Sequence, residues 1–225
     1  MHRAGAESWR LSISKNEQSL HVALYLRDAY HLATPEADIP PALIGKVERT
    51  ATELNSSDVL ELTTSWLKWW RRVVGFESRR GLGDRFGASD NENFLLAMGA
   101  AHQLVFDPVE AFVSLSEHPL LQRAAVQTWR PANEWMKYHS RQGERRGSLV
   151  PKDAAEAVIA EHAVSPGRVR GAVIVLSVTG SWSRIVEPGV ALCSEEAYLD
   201  DSLFATVLKE TFESGLNHPH SSDLA

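Results

Sequence analysis

Between Asp58 and Gly87 the sequence runs DVLELTTSWLKWWRRVVGFESRRGLGDRFG, with apolar residues at Val59, Leu62, Trp66, Trp69 and Val73. A spacing of three and four belongs to a helix with one buried face. The rest of the chain must supply a core to cover it. Trp66, Trp69 and Trp70 lie on this segment, and burying them would stabilise a fold by roughly 25 cal/mol for each Å² removed from water. Asp58 and Glu61 are spaced as a capping box that opens the helix, while Arg71, Arg72 and Gly75 suit its end, where carbonyls collect negative charge and glycine turns left-handed. Adjacent side chains stand about 100° apart around a helix, so Trp69 and Trp70 cannot both point straight inward. Core is the favoured reading of the three tryptophans, with a place for one of this pair near the rim beside Arg72 or Arg79.

Charge sets this stretch apart. From Trp66 to Gly87 six cations (Lys68, Arg71, Arg72, Arg79, Arg80 and Arg85) face two carboxylates, Glu77 and Asp84, in a chain of net charge -6. The Arg79 to Gly87 loop is rich in glycine, which lets backbone amides approach an anion, and its arginines can grip a carboxylate or phosphate with two bonds each. It matches neither a dinucleotide fingerprint nor a phosphate-binding P-loop, and a helix rather than a strand precedes it. A second basic group, Arg141, Arg145, Arg146 and Lys152, joins this patch only if folding brings it near.

Elsewhere the pattern predicts an α+β chain, predominantly helical, with about seven helices and a small antiparallel hairpin or meander near its C-terminus. Trp9, Leu11 and Ile13 alternate with polar residues, as in a short strand. Helices are expected around Val22 to Ala33, from Pro41 to Leu54, from Ser89 to Asp107, from Asp107 to Leu115, and from Pro119 onward with a kink or break at Pro131. Residues 169–178 are apolar on both alternating faces, as in a covered strand, and are expected to pair with 182–186 across Thr179-Gly180-Ser181. Helices flank this hairpin at Pro151 to Ala163 and Leu203 to Phe212. The expected division is a helical part over 1–142, a basic linker over 143–150, a helix-hairpin-helix part over 151–215 packed on the first, and a loose tail over 216–225. A hairpin alone leaves open edges, which the Trp9 to Ile13 strand, Val190 to Leu192, or a second copy of the chain would fill.

Several function classes lose their support. The longest run free of polar residues, Phe94 to Ala101, falls well below the ~18 a membrane span needs, and with no apolar leader core the expectation is a cytoplasmic protein. A single cysteine, Cys193, excludes an internal disulfide and a multi-cysteine zinc site. It ends an apolar strand before a helix start, a place where a thiol can be activated, though a small buried residue is the ordinary reading. The nine histidines include no pair one helical turn apart, and His218-Pro219-His220 has no nearby third ligand, so no metal or other cofactor is expected. Arginine outnumbers lysine 17 to 6, a usage resembling that of high-GC bacteria.

What remains is a non-catalytic binding or assembly protein. Its expected site is Arg71, Arg72, Arg79, Arg80 and Arg85 with Trp70 or Phe86 as aromatic anchor, contacting an acidic protein partner. Nucleic acid on the same surface is one alternative. An enzyme with a pocket assembled from dispersed residues such as Asp90, Glu92 and His102 is another.

Overall fold

The computed structural model describes residues 8–15, 17–34, 36, 38–50, 54–83, 99–139 and 148–217. Its elements are β1 (Arg10–Lys15), α1 (Gln18–Ala29), α2 (Ser56–Gly83), α3 (Pro119–His139), α4 (Val150–His162), β2 (Arg170–Leu176), β3 (Ser183–Glu187), β4 (Val190–Ser194), α5 (Glu195–Leu199) and α6 (Asp201–Leu216), with a helical segment over 99–103 and three short 3-10 turns. The fold is α+β and mostly helical.

The sheet has strand order β1-β2-β4-β3. Arg10 stands opposite Arg170 in a parallel pair, Ala172 opposite Val190 in a second parallel pair, and β3 runs antiparallel to β4 at the edge. The expected hairpin is therefore displaced by one strand, because β2 pairs with β1 and β4 and not with β3. After β2 the backbone is taken up by the loop over 42–44: Val178 bridges to Leu43 and Thr179 N donates to Ala42 O at 2.8 Å. The reversal comes instead at Gly189, with φ of +78°, joining β3 to β4.

Because β2 alternates, its two faces feed two cores. Ala172, Ile174 and Leu176, with Val190 and Leu192 of β4, pack under α1, α2 and α3. Val173 and Val175, with Ala191 and Cys193, pack under α4, α5 and α6. Helices thus cover both faces, and α6 lies so close to β2 that a Cβ at Gly171 would stand 3.0 Å from Thr211 Cγ2 and 3.1 Å from the Phe212 ring.

α1 sits at the centre of the first core and is buried nearly all round, from Ser19 through Arg27. The buried Arg27 and the half-buried Asp28 on it find local partners. Arg27 donates to the carbonyls of Pro40 and Pro41 and pairs with Asp28 at 2.7 Å, and Asp28 in turn accepts from Leu43 N at 2.8 Å. With Gly45 left-handed at φ +71° as well, the described residues 41–50 form a pinned loop and not the helix that their spacing suggests.

α2 differs from expectation at both ends. Asn55, not Asp58, caps its start, its side chain accepting from Asp58 N at 2.9 Å. Gly75 does not end it; the helix continues to Gly83 because Phe76, Glu77 and Ser78 carry on the buried face. α3 likewise runs through Pro131. The predicted helix over 107–115 is two 3-10 turns separated by Ala111 and Phe112, both left-handed (φ 53° and 55°). The predicted segment from Ser89 is described only from residue 99 and leaves helical geometry after 103.

Candidate interaction surface

Once α2 is one helix, its cations line up. Lys68, Arg72, Gly75 and Arg79 are spaced four, three and four apart and share the solvent face, with Arg71 beside them. At 1.5 Å per residue the row from Lys68 to Arg79 is about 16 Å long. Arg79 lies back over Gly75, its Nη1 3.6 Å from where a Cβ would be. Arg71 pairs with Glu36 at the surface. Arg72 Nη2 donates to the Leu104 carbonyl at 2.6 Å. Among the described residues no carboxylate pairs with Lys68, Arg72 or Arg79.

Three of the seven predicted site residues, Arg71, Arg72 and Arg79, therefore share a face, and Lys68 joins them. Arg80 points elsewhere. Trp70 is 2 % exposed and stacks on Trp66 with ring centroids 5.8 Å apart, so it belongs to the core and not to the rim. Crowding is resolved by depth: Trp69 also buries fully, donating its indole N–H to Val105 O at 2.8 Å, while Trp66 donates to Ala23 O at 2.7 Å. Arg85 and Phe86 lie outside the described residues, as do Asp90, Glu92, Arg141, Arg145, Arg146 and the His218 to His220 pair. Lys152 is on α4, across the sheet, near Glu156.

Next to the cationic row lies an apolar loop that the sequence pattern concealed. Leu104 is 67 % exposed and Val109 97 %. The segment is fastened to α2 through Trp69, whose ring meets Phe112 edge-on at 6.1 Å. Phe112 is fully buried against Phe106 and Trp129 as well, and Asp107 accepts from Ser114 N at 2.9 Å and Ser114 Oγ at 2.6 Å. Two consecutive left-handed residues without glycine are costly. Burial of the Phe112 ring offsets that cost and fixes the exposed Val109 and Val113 on either side.

Arg80 belongs to a polar cluster at the carboxyl ends of the parallel strands. It pairs with Glu17, just after β1, and its Nε stands 2.8 Å from Glu77 Oε2. Ser19 Oγ donates to Glu77 Oε1 at 2.5 Å. Burial pushes the Glu77 carboxyl up, with the Ser19 hydrogen bond opposing; burial would lower the Arg80 guanidinium, but Glu77 and Glu17 together raise it. His102, beside Phe76, is held below its ordinary value by burial and by Arg80. Deeper in, His21 spans two strand ends: its Nδ1 lies 2.9 Å from Glu17 O, and its Nε2 accepts from Ser177 N at 3.1 Å. Ser177 Oγ donates to Glu195 Oε1 at 2.6 Å. Carboxyl ends of parallel strands are where open sheets hold ligands. Here the charged groups are engaged with one another and tie β1, α1, α2 and β2 together.

Cys193 is completely buried, and burial pushes its thiol up to about 12, the opposite of an activated nucleophile. Glu195 and Glu196 open α5 behind Ser194, whose Oγ accepts from Ala197 N, and Asp200 caps α6, as helix-start acids do. Glu161, His162 and Glu213 bring three possible metal donors within 4.8 Å. Lys209 already contacts Glu161 at 2.7 Å and Glu213 at 3.7 Å, and these hydrogen bonds hold the Glu161 carboxyl low and the Lys209 ammonium high. No described helix is long and apolar enough to cross a membrane. Comparison of the chain with protein-family models, curated proteins and solved structures gives no match.

Proposed function

We propose that this chain is a non-catalytic binding or assembly protein that contacts an acidic protein partner through the solvent face of α2. The observation that carries the reading is the row Lys68, Arg72 and Arg79 on one line of a helix whose other face is core. Such a helix presents its charges at fixed spacing, so little ordering entropy is lost on contact, and the exposed Leu104, whose carbonyl Arg72 holds, supplies apolar area. Arg80 is left out, because its partners are Glu17 and Glu77. Nucleic acid is the weaker partner for this surface, since Trp70 offers no face for a base to stack on.

The test is capture from native lysate at low and high salt, with nuclease treatment as a separate arm, comparing wild type with Lys68→Ala/Arg72→Ala/Arg79→Ala. All three side chains are exposed, so circular dichroism should be unchanged. A protein lost from the variant and released by salt is the expected result. Equal capture by both baits ends the reading, and loss of nuclease-sensitive material alone transfers it to nucleic acid.

A further inference from the structure

On the opposite face of the sheet from α2, α4 and α6 lie side by side and leave a groove of about 610 Å³ between them. Ala154, Ala157 and Ala205 line it together with Asp153, Lys209, Glu210 and Glu213. Across the two helices there are six acids (Asp153, Glu156, Glu161, Asp201, Glu210, Glu213) against Lys152 and Lys209, a net -4. Lys209 is spent on Glu161 and Glu213. Among the described residues neither Asp153 nor Glu210 pairs with any cation.

We infer that the acidic partner is a second copy of this chain, whose α2 row of Lys68, Arg72 and Arg79 seats in the α4–α6 groove. The inference rests on the reading of α2 given above. Each surface has what the other lacks: three cations without a described carboxylate on one, and Asp153 and Glu210 without a described cation on the other. Size agrees as well, since the 16 Å row fits along α4, whose 13 residues span about 20 Å. The lining alanines leave room for the aliphatic stems of lysine and arginine to lie flat while their heads reach Asp153 and Glu210.

The two surfaces are divided by the sheet and cannot meet within one chain. Contact between copies is therefore head-to-tail: an open assembly keeps one α2 face and one groove free at its ends, and it grows until it closes as a ring. A contact of this kind, small and charge-dominated, is weak and sensitive to salt.

Purified full-length protein should be followed by sedimentation velocity over roughly a hundredfold concentration range at about 50 mM and about 500 mM NaCl. The expected result is a weight-average mass that rises with concentration at low salt and returns to the monomer at high salt. Arg72→Glu/Arg79→Glu and Asp153→Lys/Glu210→Lys, all at exposed positions, should each stay monomeric alone. Mixed one to one, they should associate again, because each variant then meets a surface of opposite sign. A wild type that stays monomeric throughout overturns the inference, as does association that survives both reversals, which would place the contact at a sheet edge instead. Failure of the mixture to associate overturns it too. If wild type is monomeric but lysate capture still depends on Lys68, Arg72 and Arg79, the inference fails alone; if capture is also indifferent to them, the reading of α2 fails with it.

Discussion

His21 shows how one buried side chain can make a fold sensitive to acid. Its ring bridges Glu17 and Ser177, and complete burial pushes it down to about 4 from the usual 6.5. A base whose folded value is depressed contributes stability above the unfolded value and loses it as pH falls toward the folded one. Between pH 6.5 and pH 4 the cost of charging this ring should reach about 3 kcal/mol. Urea unfolding as a function of pH measures it. His21→Phe should be less stable than wild type at pH 7 by about 2 kcal/mol, because it leaves the Ser177 amide unpaired, and should lack the loss between pH 6.5 and 4. An unchanged slope in the variant would assign the acid sensitivity to other groups. Nothing in the spacing of the histidines revealed this role. Both His21 and His31 lie beside one apolar stripe in the sequence, but His21 is buried inside α1 and bonds Ser177, 156 positions away, whereas His31 is exposed and left-handed (φ 50°) beyond the end of that helix.

Elements were legible in sequence wherever burial followed a simple period. α2, α3, α4, α6 and the doubly covered β2 were readable for this reason, since each has a stripe or alternation that a core must cover. What escaped was decided by contacts between distant segments. The 41–50 loop has helical spacing, yet Asp28 and Ser177 take its amides. The 3-10 turns around Ala111 and Phe112 exist because a phenylalanine ring fills the space between Trp69 and Trp129. At Gly75 and Pro131 local rules predicted a stop, and packing of the buried side carried both helices past it. The candidate site was read in part: its cations were visible, but their arrangement as a row required α2 to continue past Gly75. Close approach makes a further prediction at this scale. Gly171→Ala puts a methyl 3.0 Å from Thr211 and 3.1 Å from Phe212, forcing α6 away from β2. It should cost about 1–3 kcal/mol, checked by thermal or urea unfolding, whereas Gly180→Ala, in open space but at φ +71°, should cost only about 1 kcal/mol of backbone strain.

For the molecule as a whole, one four-stranded sheet holds the two cores together, and its edge strand β1 comes from the opposite end of the chain to β2. Deleting residues 1–15 would uncover the β2 edge and the half-buried Leu11 and Ile13 contacts of the second core. The shortened chain should aggregate or unfold without a cooperative transition, and a sharp transition near that of wild type would show β1 to be dispensable. The same pairing dictates a timetable. Arg10 meets Arg170, so a growing polypeptide makes its first strand and then adds 160 residues before that strand has anything to pair with. At about 5–20 residues per second this interval is on the order of ten seconds. Throughout it, α1 has no sheet to bury against, and its apolar circumference is open to any holding factor near the ribosome exit. Arrival of β2, rather than the formation of any one helix, is then the event that lets this sheet close.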